Sequence, residues 1–192
     1  MKRRKLEKKL KKKLDRERYD HTLGVMYTAA SLAMVYNIDM EQAMYAGLLH
    51  DCAKCIPDDK KLELCQKYHL AISPAEESNP FLLHAKLGAY LARKKYHVKD
   101  GEVLHAIQVH TTGEPGMNTL DKIIYIADYI EPNRDKAPDL ADVRKMAFEN
   151  LDQTMLKILT NTLKYLEQKG GEIDPLTVET YQYFKHGISY CK

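Results

Sequence analysis

Five polar positions stand in apolar surroundings: His21, the pair His50-Asp51, His84, His110 and Asp128. Each is ambiguous alone. His50-Asp51 closes the run Ala46-Gly47-Leu48-Leu49, where a buried pair is costly unless both groups are partnered or ligate a metal. The competing reading is a histidine interacting with the dipole at a helix C-terminus. Asp128 ends Ile123-Ile124-Tyr125-Ile126-Ala127, and a carboxylate there needs an ion-pair partner or a metal. His21 falls on the inward stripe of its helix, four residues before Val25, where packing histidines are common. Together the five change the odds. They lie on separate helices, each offering one inward polar group, and helical bundles build metal sites from side chains on facing helices. Nitrogen and carboxylate donors suit iron, manganese, cobalt or zinc.

The elements that must carry these residues are helical. Apolar residues recur at helical spacing almost throughout and no alternating strand pattern appears. The sequence predicts helices over 2–17, 20–36, 40–51 (capped by Asp39, with Gln42 three residues on), 57–69, 81–97, 101–111, 118–131, 140–169 (straight or bent) and 175–189. Ser73–Pro80 reads as a loop and Gly113-Glu114-Pro115-Gly116 as a turn. The expected class is all-α, with a basic N-terminal helix over 1–17 and a single domain over 18–192.

Composition narrows the function. A chain of 192 residues with 44% hydrophobic and 30% charged residues supports one well-buried core. No apolar run is long enough to span a membrane, and the basic start lacks a secretory signal's apolar segment. Cys52, Cys55, Cys65 and Cys191 are too few for a disulfide scaffold, and one C-x-x-C is half a zinc ribbon. Packing thiols in a cytoplasmic protein are expected. The net charge of +3 hides a split: residues 1–18 hold eleven Lys/Arg against three Asp/Glu, and the remainder 19 against 24. The body is acidic, so nucleic acid is not an expected partner of it. The Leu6, Leu10, Leu14 stripe among the lysines can dock on the body, mediate an oligomer such as a homodimer, or touch RNA or a membrane.

The wording of the motifs carries a resemblance. The order His21, His50-Asp51, Asp128 resembles the HD superfamily of metal-dependent phosphohydrolases. Arg18-Tyr19-Asp20-His21-Thr22-Leu23-Gly24-Val25, His50-Asp51-Cys52-Ala53-Lys54, His110-Thr111-Thr112-Gly113 with Met117, and above all the block from Leu120 to Arg134 are similar to the YqeK family of bacterial symmetrical diadenosine tetraphosphate hydrolases. Cys52 and Asn118 depart from that family's pattern, which has an aromatic and Ser or Thr there. The resemblance implies an HD-domain bundle whose His21, His50, Asp51 and Asp128 hold a metal in a site like an iron site. Manganese, cobalt and zinc are the alternatives. His84 and His110 would either hold a second ion bridged by Asp51 or, when protonated, face the phosphates. Asp51 or Asp128 would orient the attacking water. Lys54, Arg134 and Arg18 would bind a polyphosphate, and Tyr129 would lie against a base or ribose. Their plainer readings are a surface lysine, a salt bridge from Arg134 to Glu131 or Asp135, an exposed Arg18 and a packing Tyr129. The implied reaction is cleavage of diadenosine tetraphosphate to two ADP. The alternatives are another nucleotide (a mononucleotide, cyclic nucleotide or alarmone) at the same site, or an RNA- or ribosome-binding protein using its basic arm.

Overall fold

The computed structural model describes residues 3–170 and 172–189, and every regular element in them is helical. In chain order these are α1 (Arg3–Lys11), α2 (Arg16–Val35), α3 (Met40–Leu49), α4 (Asp58–Lys67), α5 (Pro74–Ser78), a 3-10 turn (Pro80–Leu82), α6 (Leu83–Lys95), α7 (Gly101–Val109), α8 (Thr119–Ile130), α9 (Leu140–Ala147), α10 (Leu151–Lys169) and α11 (Pro175–Ser189).

Side-chain caps set most starts. Asp39 accepts from the Gln42 N–H, Asp100 from Glu102 and Val103, and Asn118 from Asp121 in a reciprocal capping box. Three expectations need correction, each for a capping reason. The basic helix ends at Lys11, because the Asp15 carboxylate takes the Arg18 N–H and starts α2 at Arg16 rather than at residue 20. The Ser73–Pro80 loop contains α5, closed by the Ser73–Glu76 capping box. The long 140–169 pattern is two helices, because Asn150 caps α10 by accepting from the Gln153 N–H.

Helices α2, α3, α7 and α8 pack on one another at the centre, with α6 and α4 beyond α7 and with α10 and α11 beyond α8. The α2–α3 crossing is close because Gly47 lies against the α2 backbone: a Cβ there would sit 2.9 Å from the Met26 Cα. Leu6, Leu10 and Leu14 are buried in the main core. The leucine stripe is therefore spent within the chain, and α1 is further tied to α3 by an Arg3–Glu41 ion pair at 2.8 Å. Leu10→Ala should then cost about 2–5 kcal/mol, lowering Tm by roughly 10 °C for a chain of this size. A thermal scan unchanged by this substitution would mean that α1 is not docked.

Cys52 and Cys65 are buried as packing thiols. Cys55 is exposed, its Sγ 3.6 Å from an Asp15 carboxylate oxygen, so the packing expectation fails there. Cys191 lies outside the described residues. In α11, Phe184 is a core residue and Tyr181 packs against the core, whereas Tyr183 is exposed. Among the described residues, no helix is long and apolar enough to cross a membrane.

Candidate metal centre and active site

Each of the five positions falls near a helix end or on an inward face. His21 is one turn into α2. His50 is the C-cap of α3 with Asp51 following it, and His84 opens α6. His110 is the C-cap of α7, and Asp128 is in the last turn of α8. These points converge. The rings of His21 and His50 are 5.4 Å apart, and those of His50 and His110, and of His84 and His110, are 5.0 Å apart.

Local backbone fixes which nitrogens face inward. His50, His84 and His110 each place Nδ1 on the carbonyl three residues earlier, Gly47 at 2.7 Å, Phe81 at 2.6 Å and Ile107 at 2.7 Å. A carbonyl only accepts, so Nδ1 carries the proton and Nε2 presents a lone pair to the centre. The inward nitrogens meet two carboxylates. His21 Nε2 is 3.0 Å from Asp128 Oδ1 and 3.9 Å from Asp51 Oδ2. His50 Nε2 is 3.5 Å from Asp51 Oδ2 and 3.9 Å from Asp128 Oδ1. On the other side of the same carboxylate, Asp51 Oδ1 is 3.3 Å from His84 Nε2 and 3.5 Å from His110 Nε2. Overlapping triads (His21, His50, Asp51; His50, His110, Asp128; Asp51, His84, His110) bring their donor atoms within 4.8 Å of one another.

This donor set fits a metal ion. His21 Nε2, His50 Nε2 and Asp51 Oδ1 are buried without a hydrogen-bond partner in the protein. Lone pairs of nitrogen and oxygen converging in a buried cluster repel one another unless a cation stands among them. The nitrogen and carboxylate mixture suits the first-row divalent metals.

Electrostatics follow from the same packing. Burial would raise Asp51, but the surrounding His50, His110 and His84 outweigh it, and the carboxylate is held well below the ordinary range. Asp128 is likewise held low against burial by His21, His50 and Arg134. His84 is pushed down to about 4, by burial first and then by Lys54 and His110. This lowering favours neutral His84, with Nε2 as an acceptor, in the metal-free chain.

Cations ring the mouth. Arg18 Nη1 donates to Asp51 Oδ2 at 2.8 Å, so Arg18 is not a free surface group. Arg134 pairs with neither Glu131 nor Asp135. Its Nη2 reaches Asp128 Oδ1 at 2.9 Å and its Nε reaches the Asp128 carbonyl at 3.0 Å. Lys54 is mostly buried, with Nζ 3.0 Å from His84 Nε2, 3.8 Å from Asp51 Oδ1 and 3.9 Å from the Phe81 ring centre. Its surface reading fails, and burial lowers its pKa. These residues, with Phe81 and Tyr129, line a cavity of about 670 Å³. Tyr129 also packs at its back, its hydroxyl donating to the Pro138 carbonyl at 3.4 Å. His105 stands apart, between Glu114 and Asp121.

Several contributors were not picked out from the sequence. Thr111 Oγ1 lies 3.2 Å from His84 Nε2 and 3.3 Å from His110 Nε2. Phe81 supplies both the carbonyl under His84 and the face under Lys54. Buried Glu131 holds His21 Nδ1 at 3.1 Å. Glu131 lies within the motif block, and its place before Pro132 was the available signal. Nothing local distinguishes Phe81.

Comparison with known proteins gives a consistent picture. Residues 18–133 match the family model described as HD domain. The chain is 39% identical over 180 residues to the symmetrical bis(5'-nucleosyl)-tetraphosphatase of Bacillus subtilis, covering 93% of this chain and 95% of that one. It is 40% identical to the protein of the same name from Halalkalibacterium halodurans, covering 90% and 91%. Among solved structures, a protein from Clostridium acetobutylicum described as a predicted HD superfamily hydrolase involved in NAD metabolism superposes with a TM-score of 0.94 at 42% identity, covering 97% of this chain and 98% of that one.

Proposed function

The chain belongs to the HD-domain family, and on that premise we propose that it is a metal-dependent phosphohydrolase cleaving diadenosine tetraphosphate at its central bridge to two ADP. The observation that carries this is the cluster of inward lone pairs opening on a cation-lined cavity. It joins a metal donor set to the groups a polyphosphate requires, and the curated relatives with the same fold carry the name of that activity.

His21, His50, Asp51 and Asp128 would hold the metal, and iron is the ion we favour, with manganese, cobalt and zinc as alternatives. When bound, it supplies Lewis acidity toward the phosphates. The remaining work falls to the chain. Arg18 and Arg134 stand at the carboxylates facing the cavity, where their guanidinium groups can turn to phosphate oxygens. Lys54 adds a compact charge close to Asp51. Asp51 Oδ1, buried and without a hydrogen-bond donor, is the acceptor placed to orient the attacking water. His84 accepts from Lys54 or Thr111 and keeps that proton network aimed at the substrate. A second ion on Asp51, His84 and His110 would have to displace the Lys54 ammonium, 3.0 Å from His84 Nε2, which favours a single resident metal. Phe81 and Tyr129 offer faces for a nucleobase.

The deciding experiment is product analysis on diadenosine tetraphosphate together with metal quantitation. Two ADP per substrate is the expected result. AMP plus ATP, or turnover of mononucleotides alone, would sink the symmetrical reading. The RNA-binding alternative instead requires salt-sensitive RNA binding lost on removing residues 1–16, with no hydrolysis. Arg134→Ala should lower kcat/KM roughly 10–100-fold, the worth of one charged hydrogen-bond group, and Arg134→Lys should recover only part, because an ammonium cannot span two phosphate oxygens. Wild-type kinetics in Arg134→Ala would remove that residue from the substrate site.

A further inference from the structure

Three of the four inward histidines are oriented by a backbone carbonyl three residues earlier. His21, which lies inside α2, does not use that device. Its Nδ1 instead meets the Glu131 carboxylate, Oε1 at 3.1 Å, and Glu131 is 1% exposed.

The sequence builds this contact from three sides. Pro132 disfavours helical backbone at the residue before it, and Glu131 accordingly leaves α8 with φ −52° and ψ 155°. Gly24, one turn after His21, leaves room for the carboxylate: a Cβ there would lie 2.2 Å from Glu131 Oε2. Arg144 of α9 grips the departing backbone, donating to the carbonyls of Ile130 at 2.9 Å, Glu131 at 3.0 Å and Arg134 at 2.9 Å. The second carboxylate oxygen, Oε2, accepts the Asn133 N–H at 2.8 Å. Both oxygens of Glu131 therefore face donors.

We propose that Glu131 is a positioning residue that fixes the Nδ1–H tautomer and ring orientation of His21 and so sets the affinity of the centre for its metal. The proposal rests on the metal-centre reading above. A carboxylate is required because it accepts at both ends. Glutamine fills the same volume but accepts at one oxygen only, so either the Asn133 N–H or the His21 Nδ1–H must confront an amide NH2. In the second case the His21 proton moves to Nε2, and the inward lone pair is lost. Groups that orient a metal-ligating histidine are worth roughly 10–100-fold in metal affinity.

The test is a Co²⁺ titration of the full chain stripped of metal, followed by the visible absorption of the bound ion, with ring ¹⁵N spectra of His21 recorded before metal is added. For Glu131→Gln the expected results are a Co²⁺ dissociation constant raised roughly 10–100-fold and an Nε2–H tautomer at His21. Gly24→Ala pushes the unchanged carboxylate aside and should weaken Co²⁺ binding in the same direction. Glu131→Asp, which keeps two acceptors on a shorter stem, should fall between Glu131→Gln and wild type. Wild-type Co²⁺ affinity with an Nδ1–H His21 in Glu131→Gln overturns the proposal. So does a variant that merely unfolds at lower temperature while its folded fraction binds Co²⁺ normally. A wild-type chain that binds Co²⁺ but leaves diadenosine tetraphosphate intact would sink the substrate reading alone.

Discussion

Asp51→Asn is expected to abolish metal retention and to lower kcat/KM on diadenosine tetraphosphate by at least ~10³-fold, the several kcal/mol that metal chemistry supplies. The reason is the position of this carboxylate. One oxygen faces His21 and His50, and the other faces His84 and His110. Asparagine keeps the shape but is neutral and presents a single oxygen, so whichever way it turns, one pair of histidines loses the carboxylate oxygen that would share a metal with it. Metal analysis and steady-state kinetics decide the matter. A variant with stoichiometric metal and turnover within tenfold of wild type would refute the centre. The same substitution carries a pH signature in the metal-free chain. Asp51 is held well below its unfolded value of about 3.9, so its ionised form stabilises the fold above that pH, and the contribution fades as pH falls toward the lowered value. The stability gap between wild type and Asp51→Asn should therefore be widest near neutrality and narrow on acidification.

Gly47→Val is expected to disable the protein from a position that touches no substrate. The added Cβ meets only backbone, the Met26 Cα at 2.9 Å, the Met26 nitrogen at 3.2 Å and the Val25 carbonyl at 3.3 Å. A flexible side chain could yield, but two helix backbones cannot without parting. Overpacking costs about 1–3 kcal/mol, here toward the upper end despite the small gain from replacing a helical glycine. A fall in Tm on the order of 10 °C is expected. The functional loss should be larger than the stability loss suggests, because the helices forced apart carry His21 on one side and His50 with Asp51 on the other. A Tm within about 2 °C of wild type would show that the crossing can relax.

The candidate metal-binding cluster was legible because its chemistry conflicts with its surroundings: His50, Asp51 and Asp128 are polar residues at the ends of runs that belong in a core. The caps at Asp39 and Asn118 were legible for the local reason that their partners lie three residues away. The position of the break between α1 and α2 was not, because Leu6, Leu10 and Leu14 keep their four-residue rhythm across it, and Leu14 stays buried after the helix has ended. The break at Asn150 has no glycine or proline to announce it. Arg134 shows a different limit. Sequence proximity suggested Glu131 or Asp135 as its partner, but Pro132 turns the chain back so that the guanidinium reaches Asp128, and Glu131 faces the opposite way toward His21. A fold-back of this kind depends on what α2 and α9 leave open, which no local window contains.

The ion pairs of Arg18 with Asp51 and of Arg134 with Asp128 bear on the order in which the protein is assembled. In small zinc domains the ligands repel one another until the ion arrives, so folding waits for metal. Here both carboxylates have cationic partners supplied by the chain itself, and a core spanning nine of the eleven helices closes around them. Folding can be completed first and loading can follow as a separate event.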